Sequence, residues 1–81
     1  SMKDYRKVLG WSFEWREEHS QYQCRGEVMY DNEHDEMPEP SLLQAAYDLA
    51  EELKSEGIDA QATWSEKGWV EVIVTEKNKK A

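Results

Sequence analysis

A single stretch of the chain, residues 41–56, has the spacing of an amphipathic helix, and this constrains the fold more than any other feature. Its apolar side chains recur three and four residues apart: Leu42, Ala46, Leu49 and Leu53, with Leu43, Ala45 and Ala50 beside them. Ser41 and Gln44 predict a capping box at the start of the helix, and Gly57 followed by Ile58 predicts a left-handed end. Because only one helix is available, strands must supply the rest of the core.

Four other segments alternate between apolar and polar residues, which is typical of β-strands. They are residues 8–16, 22–30, 58–64 and 69–76. Gly68 predicts a hairpin turn between the last two, and Gly26 predicts a bulge or a close neighbour inside the second. The order strand-strand-helix-strand-strand predicts an α+β fold, with an antiparallel four-stranded sheet and the helix packed on one face.

The chain has 81 residues, so we expect one domain over residues 1–81, with flexible ends at 1–7 and 77–81. One helix covers one sheet face. Trp69 and Ile73 oppose a row of valines on the last strand, so we expect the second face to be partly apolar. Such a face, or a free strand edge, favours a homodimer over a monomer in a chain of this size, but both states stay open.

The negative charge of the chain is concentrated in its middle. The formal net charge is −8, and residues 26–53 contain nine acids and no Lys or Arg. This balance argues against direct binding of nucleic acid and of anionic membrane surfaces, because both repel carboxylates. It favours a basic partner protein.

We therefore expect the loop 31–40 and the helix to present one acidic, partner-binding face, formed by Glu33, Asp35, Glu36, Glu39, Asp48, Glu51 and Glu52. The leading hypothesis is a non-enzymatic interaction or regulatory protein that docks through this face. A specific version is nucleic-acid mimicry, in which carboxylates stand in for phosphates. In size and charge alone the chain is similar to small acidic phage and mobile-element proteins that inhibit restriction or CRISPR systems.

Aromatic residues suggest an alternative function. Trp11, Phe13 and Trp15 share one face of a predicted strand, and Trp69 begins another. Such rings can form a sheet core, a dimer seam, a protein-binding surface or a stacking platform. The corresponding hypothesis is a small homo-oligomeric domain that binds a small molecule through an aromatic sheet face.

The sequence contains no convincing catalytic or metal-binding motif, so we predict no cofactor, no metal and no enzyme activity. Asp31, Glu33 and Asp35 are spaced like the first ligands of an EF-hand loop, but Glu36 and Leu42 occupy positions that need Gly and Glu. The only soft ligands, His19, Cys24 and His34, do not have a zinc-site spacing. A composite enzyme or metal site remains a third hypothesis.

The single cysteine, Cys24, has no internal disulfide partner, which indicates a reducing compartment. No apolar run approaches the length of a transmembrane helix, and the N-terminal residues do not resemble a signal peptide. We therefore expect a cytoplasmic protein.

Overall fold

The computed structural model describes residues 2–31, 35–65 and 68–75, and it has the predicted α+β class. The elements are β1 (Tyr5–Val8), β2 (Trp11–Arg16), β3 (Gln21–Arg25), β4 (Val28–Asp31), β5 (Asp35–Pro38), α1 (Pro40–Ser55), β6 (Ala60–Trp64) and β7 (Trp69–Val74). The main sheet is antiparallel with strand order β1-β2-β3-β7-β6, and β4 pairs with β5 in a separate sheet. The main sheet therefore has five strands, where four were predicted.

The extra strand arises because a turn at Leu9 and Gly10 separates β1 from β2. Val8 and Trp11 face each other in the β1–β2 ladder. Leu9 and Gly10 between them have φ angles of 52° and 84°, which are the positive values of a tight two-residue hairpin turn. Leucine rarely adopts such angles, so this turn had no clear signal. Residues 5–7, expected in a flexible end, thus lie in β1, while 77–81 lie outside the described residues.

The second predicted strand is divided at Gly26, and the predicted loop contains a strand. Gly26 donates its amide hydrogen to the carbonyl of Gly68, with 3.1 Å between N and O. A Cβ at Gly26 would lie 2.8 Å from the Leu42 side chain, so the predicted close neighbour is confirmed. The expectation of a loop over 31–40 is wrong for Asp35–Pro38, which forms β5 and pairs with β4. The sequence of β5, two acids followed by Met37 and Pro38, does not alternate between polar and apolar residues, so it carried no strand signal.

The helix begins differently from the prediction. Pro40 occupies its first turn and Glu39 the N-cap position, without a side-chain cap. Proline suits this position because its missing amide hydrogen has no helical partner there. Ser41 lies inside the helix, where its hydroxyl accepts a hydrogen bond from Trp11 Nε1 at 3.2 Å. The predicted capping box with Gln44 is therefore wrong.

The predicted end of the helix is confirmed. Gly57 has a φ of 85°, and its amide bonds the carbonyl of Lys54 at 2.9 Å. The amide of Ile58 bonds the carbonyl of Leu53, also at 2.9 Å. These two bonds form a Schellman motif, which turns the chain back toward the sheet.

One face of the main sheet packs against α1. The buried residues of the sheet are Phe13, Tyr22, Ala60, Val70, Val72 and Val74, and those of the helix are Leu42, Ala45, Ala46, Leu49, Ala50 and Leu53. Each fully buried large apolar side chain contributes about 1.5–3 kcal/mol to folding. On the opposite, open face, the described apolar side chains are scattered: Tyr5, Trp69 and Ile73 lie among Glu14, Gln23 and Glu71. The open face is therefore more polar than expected.

Candidate functional site

Contacts with the edge strands of the main sheet define the orientation of α1. Successive helical residues are rotated by about 100°, so the buried residues define the side that faces the sheet. Arg6 of β1 contacts Glu52 and Glu56. These contacts place that flank of α1 over β1, which is one edge of the main sheet. The opposite flank lies toward β6, the other edge.

Arg6 is the central residue of the β1 side. The residue is only 9% exposed, and its guanidinium lies 5.9 Å from the ring centroid of Tyr22. Nη1 donates to Glu52 Oε2 at 2.8 Å and to Glu56 Oε2 at 2.9 Å, while Nη2 donates to Glu56 Oε1 at 2.9 Å. The bidentate geometry with Glu56 fixes the last turn of the helix on β1.

The ionisation of both partners reflects this contact. The hydrogen bond from Arg6 holds the pKa of the Glu56 carboxyl below its ordinary value. The same contact, opposed by burial, raises the pKa of Arg6 above that of a free guanidinium. Both groups therefore stay charged at neutral pH. The Arg6 side chain is buried, whereas the Glu56 side chain remains partly exposed to water.

The carboxylates of Asp48 and Glu51 make exposed contacts with other residues of α1. Asp48 accepts a hydrogen bond from Gln44 Nε2 at 3.0 Å. Glu51 lies 3.3 Å from Lys54 Nζ, and its side chain is 74% exposed. With Glu52 and Glu56, these two residues define a surface that we call the acidic face (Asp48, Glu51, Glu52 and Glu56).

The other acids of the predicted face are placed as follows. Glu39 is half-buried at the start of α1, with a carboxylate oxygen 3.5 Å from the Ser41 hydroxyl. Asp35 and Glu36 belong to β5, opposite Asp31 and Tyr30. Glu33 lies outside the described residues. The structure thus brings Asp48, Glu51 and Glu52 together, and it supplies Glu56, which the sequence reasoning did not select.

The predicted aromatic face is divided between the two sides of the sheet. Phe13 is fully buried beneath the helix, and Trp11 and Trp15 flank it, half-buried, on the same side. Trp15 packs edge-on against Tyr22, with 5.0 Å between ring centroids. Trp69 lies on the open face, 5.6 Å from the Arg25 guanidinium. These four rings do not form one platform, because alternation along the strands sends them to opposite sides.

The residues with reactive or metal-binding side chains are separate from one another. Cys24 is half-buried, and burial raises the pKa of its thiol, which disfavours a nucleophilic thiolate. His19 is exposed in the turn between β2 and β3, and His34 lies outside the described residues. Among the side chains that the structure describes, in residues 2–29, 37–65 and 68–75, no three metal-binding groups form a cluster.

Sequence reasoning missed Arg6 and Glu56, which make the strongest polar contact of the helix. Arg6 was assigned to a flexible end. Residues 5–8 do not alternate between apolar and polar side chains, because the charged Arg6 lies on the buried side of the strand, so the sequence carried no strand signal there. The contacts themselves join residues 46 and 50 positions apart, so local patterns could not reveal them.

Comparison of the chain with protein-family models, with curated proteins and with solved structures finds no match. In the described part of the chain, α1 is neither long nor apolar enough to cross a membrane.

Proposed function

We propose that this chain is a non-enzymatic interaction protein that docks its acidic face on a basic surface of a partner protein. The observation that carries the proposal is the arrangement of Asp48, Glu51 and Glu52 at exposed positions of one helix, from its solvent side to its β1 flank. Lys54 is the only base within α1. A rigid row of like charges steers a basic partner and fixes its orientation.

The carboxylates of the acidic face have different roles in this proposal. Glu52 and Glu56 already bond Arg6, so part of their charge is neutralised within the chain. Among the described residues, Asp48 bonds Gln44 and Glu51 bonds Lys54 at exposed positions, where such contacts contribute little and exchange readily. Asp48 and Glu51 are therefore the side chains most available to a partner.

The test compares two variants with the same net charge. Asp48→Asn with Glu51→Gln removes the two carboxylates of the acidic face that do not contact Arg6, and Glu14→Gln with Glu27→Gln removes two exposed carboxylates elsewhere. Each chain is immobilised and used to capture proteins from a lysate, which are then eluted with increasing salt. We expect the wild type and the Glu14/Glu27 variant to retain the same basic proteins, and the Asp48/Glu51 variant to release them at lower salt. Equal retention by all three chains would refute the proposal.

Nucleic-acid mimicry is a narrower version of the same function. It predicts that the retained proteins bind DNA or RNA through the surface that contacts Asp48 and Glu51. Excess duplex DNA or RNA should then displace them from the immobilised chain. If displacement by nucleic acid fails while salt elution succeeds, the partner surface is basic but is not a nucleic-acid site.

A further inference from the structure

The two edges of the main sheet differ in charge. β1 contains Arg6 and Lys7, and charged side chains are a common device that keeps sheet edges from pairing with other chains. β6 has the sequence Ala-Gln-Ala-Thr-Trp, without a charge or a proline. We call the outer side of Ala60–Trp64 the open edge. It lacks these protective features.

The outward backbone groups of the open edge can be assigned from the β6–β7 ladder. The amide of Ser65 bonds the carbonyl of Trp69, and the amide of Thr75 bonds the carbonyl of Asp59. Hydrogen-bonded and non-hydrogen-bonded pairs alternate in antiparallel sheets. Odd-numbered residues of β6 therefore bond β7, and Ala60, Ala62 and Trp64 direct their N–H and C=O groups away from the sheet.

The helix flank above the open edge carries apolar and aromatic side chains and one base, Lys54. Glu52 and Glu56 face β1, so rotation of 100° per residue places Leu43, Tyr47, Ala50 and Lys54 on the other flank. Their spacing of four, three and four residues is the spacing of a helix–helix seam. Tyr47 is 50% exposed, and Trp64 on the open edge is 41% exposed. Two aromatic rings thus flank a strand whose outward N–H and C=O groups form no β-ladder with the described strands.

We propose that the open edge and this helix flank bind a second copy of the chain, through antiparallel pairing of the two β6 strands centred on Ala62. In that register the outward groups of Ala62 bond those of the second copy's Ala62, and those of Ala60 bond Trp64. The large Trp64 ring then lies beside a small alanine. On the open face, Gln61 lies beside Thr63, so no like charges meet along the strands.

The position of the helix fits this arrangement. α1 packs on β6 and β7 and also contacts β1, so it crosses the sheet and covers one face of β6. Because the proposed two-fold axis is perpendicular to the joined sheet, pairing of the two β6 strands brings both helices to the same sheet face. The flanks with Leu43 and Tyr47 then point toward the second copy.

The area available also fits a second copy better than an isolated strand. A fully buried aromatic side chain removes about 150–250 Å² from water, so the half-exposed Tyr47 and Trp64 of two copies contribute on the order of 400 Å². A specific interface needs about 1,000 Å² in total. The paired strands and the Leu43 and Lys54 side chains supply further area along helices about 24 Å long. A lone peptide strand would leave Tyr47 largely uncovered.

The proposed interface can be separated from the proposed function at Asp48. Asp48 lies on the helix between the solvent side and β1, away from Leu43 and Tyr47, so it stays exposed in the pair. Glu51 contacts Lys54 of the interface flank, so the separating variant is Asp48→Asn alone. It should leave the pair intact, and disrupting the pair should leave salt-dependent capture of basic proteins. Failure of one proposal is therefore distinguishable from failure of the other.

The first experiment measures the mass of the full chain in solution by sedimentation velocity and light scattering. We expect twice the 9.6 kDa of one chain at micromolar concentration. Tyr47→Glu should give a monomer, while the matched change Tyr5→Glu, at an exposed tyrosine on β1, should leave the mass doubled. A wild type that stays monomeric at all concentrations, or a pair that only Tyr5→Glu disrupts, would overturn the proposal.

The second experiment tests the register by cross-linking in a Cys24→Ser background. Residues in a hydrogen-bonded antiparallel pair have Cα atoms about 5.5 Å apart, within reach of a disulfide. Ala62→Cys should therefore give a covalent dimer on mild oxidation with diamide. Thr63→Cys should cross-link at least tenfold more slowly, since its two copies lie diagonally and more than about 7 Å apart. Equal rates would exclude pairing centred on Ala62, and circular dichroism confirms that each variant is folded.

Discussion

On one flank of α1, Arg6 reaches from β1 and bonds two glutamates; on the other flank, Leu43 and Tyr47 lie above β6 without a comparable contact among the described residues. The first flank joins helix to sheet edge through ionic contacts within the chain. The second presents apolar side chains and a neutral strand. A charged edge is closed to other strands, whereas a neutral edge can accept one. We therefore expect the stability of the monomer to depend on the first flank and the proposed association of two copies to depend on the second.

The largest effect is expected from Arg6→Met. This change removes three hydrogen bonds to carboxylates while keeping an apolar stem of similar length. The two glutamates are partly exposed and can be rehydrated, so we expect a loss of about 2–3 kcal/mol in the free energy of unfolding. Urea denaturation of dilute protein in a Tyr47→Glu background measures this loss without a contribution from association.

The matched control for Arg6→Met is Lys7→Met, which removes a charge from the exposed neighbouring position of the same strand. We expect its effect to remain within about 0.5 kcal/mol. If Arg6→Met and Lys7→Met cost the same, the ionic contacts of Arg6 do not stabilise the β1 flank.

A smaller effect of the same flank is expected when the pH is changed. Because Arg6 lowers the pKa of Glu56 in the folded chain below the unfolded value of 4.5, its stabilising contribution is complete above that value. It is lost as the pH falls through the lowered, folded-state pKa. The difference in stability between wild type and Arg6→Met should therefore shrink as the pH is reduced below about 4.5.

Urea denaturation at a series of pH values measures this difference, and NMR titration of the Glu56 carboxyl follows its cause. In a Glu56→Gln background the part of the pH dependence due to Arg6 and Glu56 should disappear. A difference that grows as the pH falls would contradict the assignment.

The helix, its Schellman end and the valine row could be predicted because each has a local signal: Leu42 to Leu53 recur at helical spacing, and Gly57 follows directly. β1 could not, because residues 1–7 were expected in a flexible end and because Leu9 adopts a positive φ that leucine seldom takes. The acidity of the helix was evident from the sequence. The division of that acidity was not, since the Arg6–Glu56 pairing depends on a sheet register that spans 50 residues.

On the β6 flank, the expected change in monomer stability is small but the change in association is large. Tyr47→Glu places a charge on an exposed helical position, so unfolding of dilute protein should change by about 0.5 kcal/mol or less. The wild-type melting temperature should rise with protein concentration, since pairing stabilises only the folded chain. In Tyr47→Glu this dependence should vanish. A concentration dependence that survives the change would place the contact elsewhere on the molecule.

The smallest effect is expected at the other base that contacts the acidic face. Lys54 lies 3.3 Å from Glu51, and both side chains are about half or more exposed, so solvent and rotamer entropy offset most of the attraction. Lys54→Gln should therefore change the unfolding free energy of dilute protein by less than about 0.5 kcal/mol. Arg6 and Lys54 each pair with acids of the same helix, and their unequal effects would show that burial and bidentate geometry, rather than the number of ion pairs, stabilise this fold. Urea denaturation of both variants at low and at high salt provides the check, because only the exposed Lys54–Glu51 contact should be fully screened at high ionic strength.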